Sequence, residues 1–468
     1  MKSDIQNPED SAFSSLALSS ELLENLASLN YHQMTAIQAA SLPLILAGKD
    51  VIAQAKTGSG KTAAFSLGLL EKLNVKRFRI QSLVLCPTRE LADQVANEIR
   101  RLARAVHNIK VLTLCGGKPF GPQLGSLEHG AHIIVGTPGR IEEHLRKGSL
   151  SLDDVSMFVL DEADRMLEMG FQEALENICA AMPAKRQTLL FSATFPTEIE
   201  RIAESYLISP ERIRIQEAHS KQSIEQHFYL VEGEPARMAA LERLLYCYQP
   251  VSTVVFCNTK ALTQTVADGL MQRGFSAEAL NGDLEQKERD QILTRFACKA
   301  ISILVATDVA ARGLDIDALD AVVNFELSRD PEVHVHRIGR TGRAGESGRA
   351  FSFFAEKERY KLGLLADACQ LDIETDELPD TKGKPLQIFK PPMVCIQIDG
   401  GKKDKLRPGD ILGALTGTGS ISAGQVGKIT LFPTSAYVAV ERSMLKTALT
   451  LFNEGKMKGR RFRVRALR

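Results

Sequence analysis

A glycine-rich segment, Ala55–Thr62, lies between the apolar run Val51–Ala53 and the helix-forming segment Ala63–Leu67. A loop that leads from a buried strand into a helix points backbone N–H groups at a bound anion. Gly58 and Gly60 let the backbone approach that anion closely because glycine has no Cβ. The order of these segments predicts a phosphate-binding loop in an α/β domain.

A pair of acids, Asp161 and Glu162, follows a second apolar run, Met157–Leu160. We expect Asp161 to hold the ligand shell of Mg²⁺ and Glu162 to orient and deprotonate a water molecule. Lys61 is expected to reach the β and γ phosphates, and the Thr62 hydroxyl to bind Mg²⁺. Together the two motifs predict a site for ATP and Mg²⁺. The predicted nucleotide contacts in the loop are Ala55, Lys56, Thr57, Gly58, Ser59, Gly60, Lys61 and Thr62.

Length and composition indicate a globular protein of several domains. A chain of 468 residues corresponds to two or three domains of about 100–200 residues each. No apolar run reaches about 18 residues, so we predict no membrane span. The polar N-terminus has no apolar signal-peptide region. The eight cysteines are scattered without a Cys-x-x-Cys pair, which favours a reduced, cytoplasmic protein.

The net charge of +1 conceals an uneven distribution along the chain. Residues 390–468 carry 15 Lys and Arg against 5 Asp and Glu, a balance of +10. The remaining 389 residues carry 43 basic and 52 acidic residues, a balance of −9. A solvated basic face is the alternative interpretation, but this concentration of charge predicts that the C-terminal segment binds a polyanion.

Apolar strands alternate with amphipathic helices through most of the chain, which predicts parallel sheets covered on both faces. The C-terminal region instead has a β-α-β-β-α-β pattern, with its last strand predicted at Arg461–Val464. The predicted organisation is a disordered N-terminus (1–11), an ATP-binding domain (12–216), a hinge (217–223), a second α/β domain (224–371), a linker (372–392) and a C-terminal domain (393–468).

Short motifs within residues 12–370 resemble, in their order and spacing, those of the DEAD-box RNA helicase family. The motifs are Asn30–Gln38, Ala55–Thr62, Asp161–Asp164, Ser192–Thr194 and His336–Arg343. The resemblance implies two tandem RecA-like parallel-sheet domains followed by a small α+β domain. It also implies an ATP-dependent RNA helicase, in which RNA stimulates ATP hydrolysis and short duplexes are unwound locally.

The resemblance implies further contacts with the nucleotide. Gln38 would read the adenine edge, Tyr31 and Phe13 would stack on the base, and Asp315 would hold the ribose. Two prolines common in the family's adenine-binding motif are replaced here by Met34 and Ala36, so this loop lacks the restriction that proline places on φ.

The His336–Arg343 motif implies a contribution to catalysis from the second domain. Arg340 and Arg343 would act as arginine fingers that neutralise charge developing on the γ-phosphoryl oxygens. His336 and Arg337 would instead connect this motif to Ser192–Thr194 and Asp164 of the first domain.

RNA contacts are expected at strand ends in both α/β domains. Glycines, hydroxyls and arginines at such positions suit contacts with sugar and phosphate, which carry no sequence information. The expected RNA contacts are Pro87, Thr88, Arg89, Gly116, Gly117, Thr137, Pro138, Gly139 and Arg140 in the first domain, and Gln286, Arg289, Thr307 and Asp308 in the second.

The C-terminal module resembles an RNA-recognition-motif fold, and within it the RNA-binding domain of DbpA-type helicases, through Ile398–Lys403 and Arg407–Leu415. Ordinary modules of this fold stack bases on aromatic side chains of the two central strands. Here Tyr437 is the one aromatic candidate in those strands. We therefore expect recognition through loops and basic side chains, including Lys402, Lys403, Lys405 and Arg407. The resemblance implies large-subunit ribosomal RNA and pre-ribosomal particles as partners during ribosome assembly.

Three alternatives stay open on the sequence. A DNA-stimulated ATPase fits the nucleotide motifs but not the RNA-recognition-like C-terminal region. A general RNA-remodelling helicase would lack the preference for ribosomal RNA. A non-catalytic RNA-binding scaffold is disfavoured because Lys61, Glu162 and Arg340 are all present. The sequence indicates no obligate protein partner.

Overall fold

The computed structural model describes residues 12–55, 58–195, 197–215, 224–311, 319–328, 330–342, 348–369, 372–381 and 387–467. The predicted N-terminal segment 1–11 and hinge 217–223 lie outside these ranges. So do four predicted site residues, which are Lys56, Thr57, Asp315 and Arg343. The described residues form three sheets in two compact bodies, the first with one sheet and the second with two.

The first sheet has seven strands in the order β3-β4-β2-β5-β6-β1-β7, and every pairing is parallel. Its strands are β1 (Val51–Gln54), β2 (Ser82–Leu85), β3 (Val111–Leu114), β4 (Ile133–Gly136), β5 (Met157–Asp161), β6 (Gln187–Ser192) and β7 (Glu211–Arg214). Its helices are α1 (Ser20–Ser28), α2 (Ala36–Leu46), α3 (Lys61–Lys72), α4 (Arg89–Leu102), α5 (Phe120–Glu128), α6 (Pro138–Arg146), α7 (Ala163–Glu168), α8 (Gln172–Ala180) and α9 (Thr197–Tyr206).

Successive residues of the central strands enter different cores because side chains alternate between the two faces of a sheet. Val84 and Val159 belong to one buried cluster, whereas Leu83 and Phe158 belong to the cluster on the other face. The edge strand β7 was not predicted. Its sequence is mostly charged and mostly exposed, so it lacks the apolar pattern of a central strand.

The second sheet has six strands in the order β10-β11-β9-β12-β13-β8, again all parallel. Its strands are β8 (Ile224–Leu230), β9 (Thr253–Phe256), β10 (Ala277–Leu280), β11 (Ile303–Ala306), β12 (Ala321–Asn324) and β13 (Gly348–Phe354). The helices around it are α10 (Glu234–Tyr248), α11 (Lys260–Gln272), α12 (Gln286–Ala297), α13 (Asp308–Ala311), α14 (Pro331–Ile338) and α15 (Arg359–Cys369).

The third sheet is antiparallel, with the order β15-β16-β14-β17. Its elements are β14 (Met393–Ile398), α16 (Pro408–Thr416), β15 (Val426–Leu431), β16 (Ala436–Glu441), α17 (Leu445–Glu454) and β17 (Val464–Leu467). The expected fold of two tandem RecA-like parallel-sheet domains and a small α+β domain is confirmed. The last strand, however, was predicted at Arg461–Val464 and begins at Val464, where pairing with Ile398 fixes its register.

The predicted linker packs along the second α/β domain. The Asp376 N–H donates to the Phe228 carbonyl over 2.8 Å, and an Asp376 carboxylate oxygen accepts from the Phe228 N–H over 3.0 Å. Leu378 and Ile388 pack against the apolar core of that domain. Backbone pairing and apolar contacts therefore hold the described part of this segment on the domain surface.

One face of the third sheet also packs on the second α/β domain. Cys395, Tyr437 and Ala439 form a buried cluster with Cys298, which directly follows α12, and Ala300 packs against it. The other face carries α16 and α17 over a separate apolar core. Among the described residues, no helix is long and apolar enough to cross a membrane.

Candidate nucleotide and RNA sites

The glycine-rich loop leads into α3 as its sequence predicts. Gly58 has a φ of +80° and Gly60 a φ of +97°, values that favour glycine. A Cβ at position 60 would lie 2.6 Å from Gln38 Nε2, so close packing also excludes a side chain there. Lys61 is buried and its Nζ donates to the Ala55 carbonyl over 2.6 Å. This lysine lies inside the loop that is expected to surround the phosphates.

Gln38 connects the adenine-binding motif to the glycine-rich loop. Its Oε1 accepts from the Thr35 N–H over 2.8 Å, which closes a capping box at the start of α2. Its Nε2 donates to the Gly60 carbonyl over 3.1 Å. The structure thus brings Gln38 to the loop, and its contact with the adenine stays a prediction.

The two aromatic candidates for base stacking meet at a centroid distance of 6.1 Å in an edge-on arrangement. Phe13 is buried in the first core. The Tyr31 hydroxyl accepts from Arg101 over 2.5 Å and lies 3.3 Å from Glu98 Oε1. Both rings therefore have packing roles within the first domain, and stacking on a base remains untested.

Asp161 and Glu162 stand at the end of β5 beside the glycine-rich loop. Burial raises the pKa of Asp161 to about 7, although the nearby charge of Lys61 opposes the shift. Asp161 is a buried carboxylate whose negative charge Lys61 only partly offsets. Such a group suits a cation ligand, since a divalent ion would stabilise its charged form. Glu162 has a φ of 53°, a left-handed conformation that is uncommon for a residue with a Cβ and is enriched at functional sites.

Asp164 joins the acidic motif to Ser192–Thr194. One of its carboxylate oxygens accepts from the Thr194 N–H over 3.0 Å and from the Thr194 hydroxyl over 2.9 Å. Burial on its own would raise the pKa of Asp164, but the hydrogen bonds from Thr194 and the charge of Arg165 together lower the pKa below its ordinary value. The ends of β5 and β6 are thereby connected within the first domain.

The predicted RNA contacts of the first domain come together at a different part of the same sheet edge. They follow β2, β3 and β4, which are neighbours, whereas the nucleotide motifs follow the neighbouring strands β1, β5 and β6. Arg89 packs directly on Gly117. Arg140 Nη1 donates to the Lys118 carbonyl over 3.0 Å, which brings the start of α6 to the same loop. The predicted positions therefore lie along one part of the sheet edge, where Pro87, Thr137 and Pro138 are buried and the others are at least partly exposed. The full set is Pro87, Thr88, Arg89, Gly116, Gly117, Thr137, Pro138, Gly139 and Arg140.

In the second domain, Gln286 and Arg289 lie in the first turn of α12, after β10, while Thr307 and Asp308 follow the neighbouring strand β11. Arg289 Nη1 donates to the Asn281 carbonyl over 3.2 Å. Thr307 Oγ1 accepts from the Ala310 N–H over 3.4 Å. These four positions share one end of the sheet, and their contacts with RNA stay predictions.

Arg337 forms its hydrogen bonds within the second domain and not, as the resemblance implied, with the first domain. It is fully buried, and its Nε and Nη2 donate to the two Asp308 carboxylate oxygens over 2.6 and 2.8 Å. Nη2 also donates to Asn258, and Nη1 donates to Asn324 and to the Glu326 carbonyl. All five guanidinium donors are therefore used inside the second domain. The expected connection of Arg337 to Ser192–Thr194 and Asp164 is wrong.

The other members of this motif lie at the end of α14. His336 is in its last turn, and the Arg340 carbonyl accepts from the Leu319 N–H over 3.1 Å. The Thr341 hydroxyl donates to the Leu319 carbonyl. These bonds position the backbone of Arg340, while the roles of His336 and Arg340 in catalysis remain predictions.

The basic loop of the C-terminal domain, residues 402–407, is held by backbone contacts. The Lys402 and Lys403 N–H groups each donate over 2.9 Å, to the carbonyls of Phe432 and Pro433. The basic side chains of this loop are exposed to solvent. They are those of Lys402, Lys403, Lys405 and Arg407.

The one aromatic candidate for base stacking in this domain is unavailable. Tyr437 is 3% exposed, meets Phe432 edge-on and belongs to the cluster with Cys298. A side chain enclosed in this way cannot present its ring to a base. The structure agrees with the expectation that stacking on this sheet does not recognise RNA.

Comparison with known proteins places the chain in a family. A model described as DEAD/DEAH box helicase matches residues 35–202, helicase conserved C-terminal domain matches residues 236–345, and DbpA RNA binding domain matches residues 395–466. The chain is 52% identical over 458 residues to ATP-dependent RNA helicase DbpA of Escherichia coli (strain K12), covering 98% of this chain and 100% of the relative. It belongs to the DEAD-box ATP-dependent RNA helicases of the DbpA type.

Other relatives share the helicase portion. DEAD-box ATP-dependent RNA helicase CshA of Geobacillus kaustophilus (strain HTA426) is 46% identical over 391 residues, covering 84% of this helicase and 81% of the relative. Dbp5 of S. cerevisiae bound to RNA and ADP BeF3 is similar in structure, with a TM-score of 0.70 and 31% identity over 79% of this helicase and 96% of that chain. These matches confirm the predicted family, enzyme class and fold.

Sequence reasoning missed the residues that support the helicase motifs from within. Asn258 and Asn324 bind Arg337 from the ends of two neighbouring strands. Asp50 accepts from the Thr188 and Ile208 N–H groups over 2.8 and 2.7 Å. Polar residues at strand ends were the available signal, but only the fold shows which of them meet.

Proposed function

We propose that this helicase hydrolyses ATP with Mg²⁺ to separate short RNA duplexes, and that its C-terminal domain directs it to structured large-subunit ribosomal RNA during ribosome assembly. The observation that carries the targeting proposal is the exposed basic loop 402–407 on a domain whose sheet face is buried. Recognition through this loop suits a folded RNA, whose shape and phosphates it can follow without stacking on bases.

The ATP step is assigned to residues at the ends of β1, β5 and β6. Asp161 and Thr62 would hold Mg²⁺, which offsets the negative charge of the phosphates when it is bound. Lys61 exchanges the Ala55 carbonyl for a phosphate oxygen, and Glu162 orients and deprotonates the attacking water. Arg340 acts on the charge that develops at the γ-phosphoryl group.

The RNA step is assigned to the surface that follows β2, β3 and β4. This surface and the nucleotide residues occupy different strands of one sheet. The Asp164–Thr194 hydrogen bonds join the ends of β5 and β6, so a change at the nucleotide can alter the neighbouring strand end. Contacts to sugar and phosphate make this surface tolerant of sequence, which leaves RNA selection to the C-terminal domain.

The test compares two double variants of the full-length protein. Lys402→Ala with Lys403→Ala removes charge from the basic loop. Lys49→Ala with Lys185→Ala removes the same charge at exposed positions ahead of β1 and β6, at the opposite edge of the first sheet. ATPase activity is measured across concentrations of a structured large-subunit ribosomal RNA fragment and of random RNA of equal length.

We expect the loop variant to raise the half-maximal concentration of ribosomal RNA by about tenfold, because the loop's contacts with the folded RNA tether the helicase core to nearby duplex. The rate at saturating RNA and the response to random RNA should change little, and the control should resemble the wild type. If ribosomal and random RNA are equivalent for the wild type, the protein is a general RNA-remodelling helicase and the targeting proposal is wrong.

A further inference from the structure

Two cysteines from different domains meet where the third sheet packs on the second α/β domain. Cys298 directly follows α12, and Cys395 lies in β14. Their exposures are 5% and 0%, and both side chains belong to one buried cluster. The Cys298 thiol donates to the Arg295 carbonyl over 3.3 Å. The two side chains are therefore buried together where the domains meet.

The surroundings of the pair favour sulfur–sulfur chemistry. The side chains in the same cluster are those of Tyr437 and Ala439, with Ala300 packed against it. Across the described ranges, no group of three or more His, Cys, Asp or Glu residues could hold a metal ion. A pair of thiols buried side by side without further metal ligands can be oxidised reversibly to a disulfide.

We propose that Cys298 and Cys395 are an oxidative modification site at which hydrogen peroxide converts the thiol pair into a disulfide joining the C-terminal domain to the second α/β domain. The disulfide would fix the third sheet on α12, so that its inner face stays covered. This inference does not depend on which RNA the protein binds.

The two thiols differ in the direction in which their pKa values are shifted. The neighbouring thiol lowers the pKa of Cys298 and raises that of Cys395. Cys298 is thus the thiol that ionises first, and it is also the one with some solvent exposure. Since the thiolate is the nucleophile, Cys298 is the residue that reacts with the oxidant.

The reaction balances in two steps. The Cys298 thiolate attacks one peroxide oxygen, so that an S–O bond forms, the O–O bond breaks, and the released hydroxide takes a proton to become water. The Cys395 sulfur then attacks the sulfenic sulfur. An S–S bond forms, the S–O bond breaks, and the hydroxide leaves as water with the Cys395 proton. The two thiols lose two electrons and one peroxide is reduced to two waters.

The test uses the full-length protein treated with hydrogen peroxide, alkylated and digested with trypsin. Because trypsin does not cleave before proline, a disulfide would join residues 296–299 to residues 383–402, two hydrogens lighter than the separate peptides. We expect this linked peptide to be the main product and to disappear on reduction. Mixing ¹⁵N-labelled and unlabelled protein should give no peptide pair of mixed label, because the bond forms within one chain.

Two variants provide controls. Cys298→Ser should abolish the linked peptide, whereas Cys247→Ser, at a half-buried cysteine in α10, should leave it unchanged. Oxidation should raise the melting temperature of the wild type by at least about 3 °C, because a cross-link restricts the unfolded chain, and should not do so for Cys298→Ser. The proposal is overturned if Cys247 is oxidised while no linked peptide appears, or if the linked peptides carry mixed label.

Discussion

The role of Arg337 in its motif is decided by the residues that surround its side chain. It is among the largest fully buried side chains of the described residues, and each of its five donors has an acceptor within its own domain. The planar guanidinium group of Arg337 cannot be replaced by an ammonium group, which has three donors and a different geometry. The residue therefore holds the ends of β9, β11 and β12 together, so that its role is structural.

Arg337→Lys should therefore destabilise the second domain. We expect the free energy of unfolding to fall by about 2–4 kcal/mol, because Asp308 and the two asparagines lose buried partners. Urea denaturation measures the effect. Arg349→Lys is the matched control, since Arg349 has a half-exposed ion pair with Glu225 and should lose less than about 0.5 kcal/mol. Equal stability of both variants would contradict this account of Arg337.

Glu162→Gln tests the proposed catalytic base. The amide keeps the size of the side chain but cannot take a proton, so ATP should still bind while turnover falls by about 10²–10⁴. The control is Glu168→Gln, at the far end of helix α7, which follows Glu162. Glu168 is partly exposed and paired with Arg165, so this variant should retain normal turnover. Nucleotide binding and steady-state ATPase are measured separately. Normal turnover by Glu162→Gln would refute the assignment.

At the scale of elements, helix α14 connects the His336–Arg343 motif to the sheet through a buried histidine, His334. Burial lowers the pKa of His334 to about 4, and the charge of Arg337 adds to the effect. His334 Nε2 lies 3.3 Å from Gln226 Oε1, whereas Nδ1 has no hydrogen-bond partner among the described residues. A second proton on this ring would be buried without an acceptor, so the folded state keeps His334 neutral.

This histidine predicts a loss of stability in mild acid. The folded-state pKa of about 4 lies below the ordinary value of 6.5, so the unfolded state binds more protons between these values. The stabilisation is complete above pH 6.5 and is lost as the pH falls towards 4. From about pH 7.5 to about pH 5 the free energy of unfolding should fall by about 2 kcal/mol more in the wild type than in His334→Gln.

Chemical denaturation at both pH values measures that difference, and other titrating groups cancel between the two proteins. An exposed histidine would give no such difference, because its pKa would be the same in both states. Parallel pH profiles for the wild type and His334→Gln would therefore show that His334 accepts a proton in the folded protein.

At the scale of the whole molecule, the residues proposed to act on ATP are divided between the two compact bodies. The glycine-rich loop and the acidic pair belong to the first body, and α14 with Arg340 belongs to the second. The proposed assignment therefore predicts that hydrolysis requires both bodies and that RNA stimulates it. Binding of ATP should depend mainly on the first body.

Arg340→Ala should therefore reduce RNA-stimulated turnover by about 10³ or more and leave ATP affinity largely intact, because an arginine finger acts on charge that develops in the transition state. Single-turnover hydrolysis and equilibrium nucleotide binding separate the two effects. Arg359→Ala, which removes an exposed charge from α15, is the control. If ATP affinity collapses while bound ATP is hydrolysed normally, Arg340 is a ground-state ligand.

The sequence by itself determined the features that depend on neighbouring residues along the chain. The loop from Gly58 to Lys61, the apolar strand before Asp161 and the order of the helicase motifs are local patterns, and the fold and family they predicted are confirmed. The charged edge strand β7 and the start of β17 were missed because their positions depend on pairing with distant strands, which no local pattern records.

Only the tertiary structure decided what the distant residues do to one another. It placed Arg337 among Asp308, Asn258 and Asn324, and it covered Tyr437 with the segment after α12. It also brought Cys298 and Cys395 into contact from separate domains. Burial and hydrogen-bond partners are set by elements far apart in the chain. For this physical reason the sequence alone could not predict the roles of these side chains.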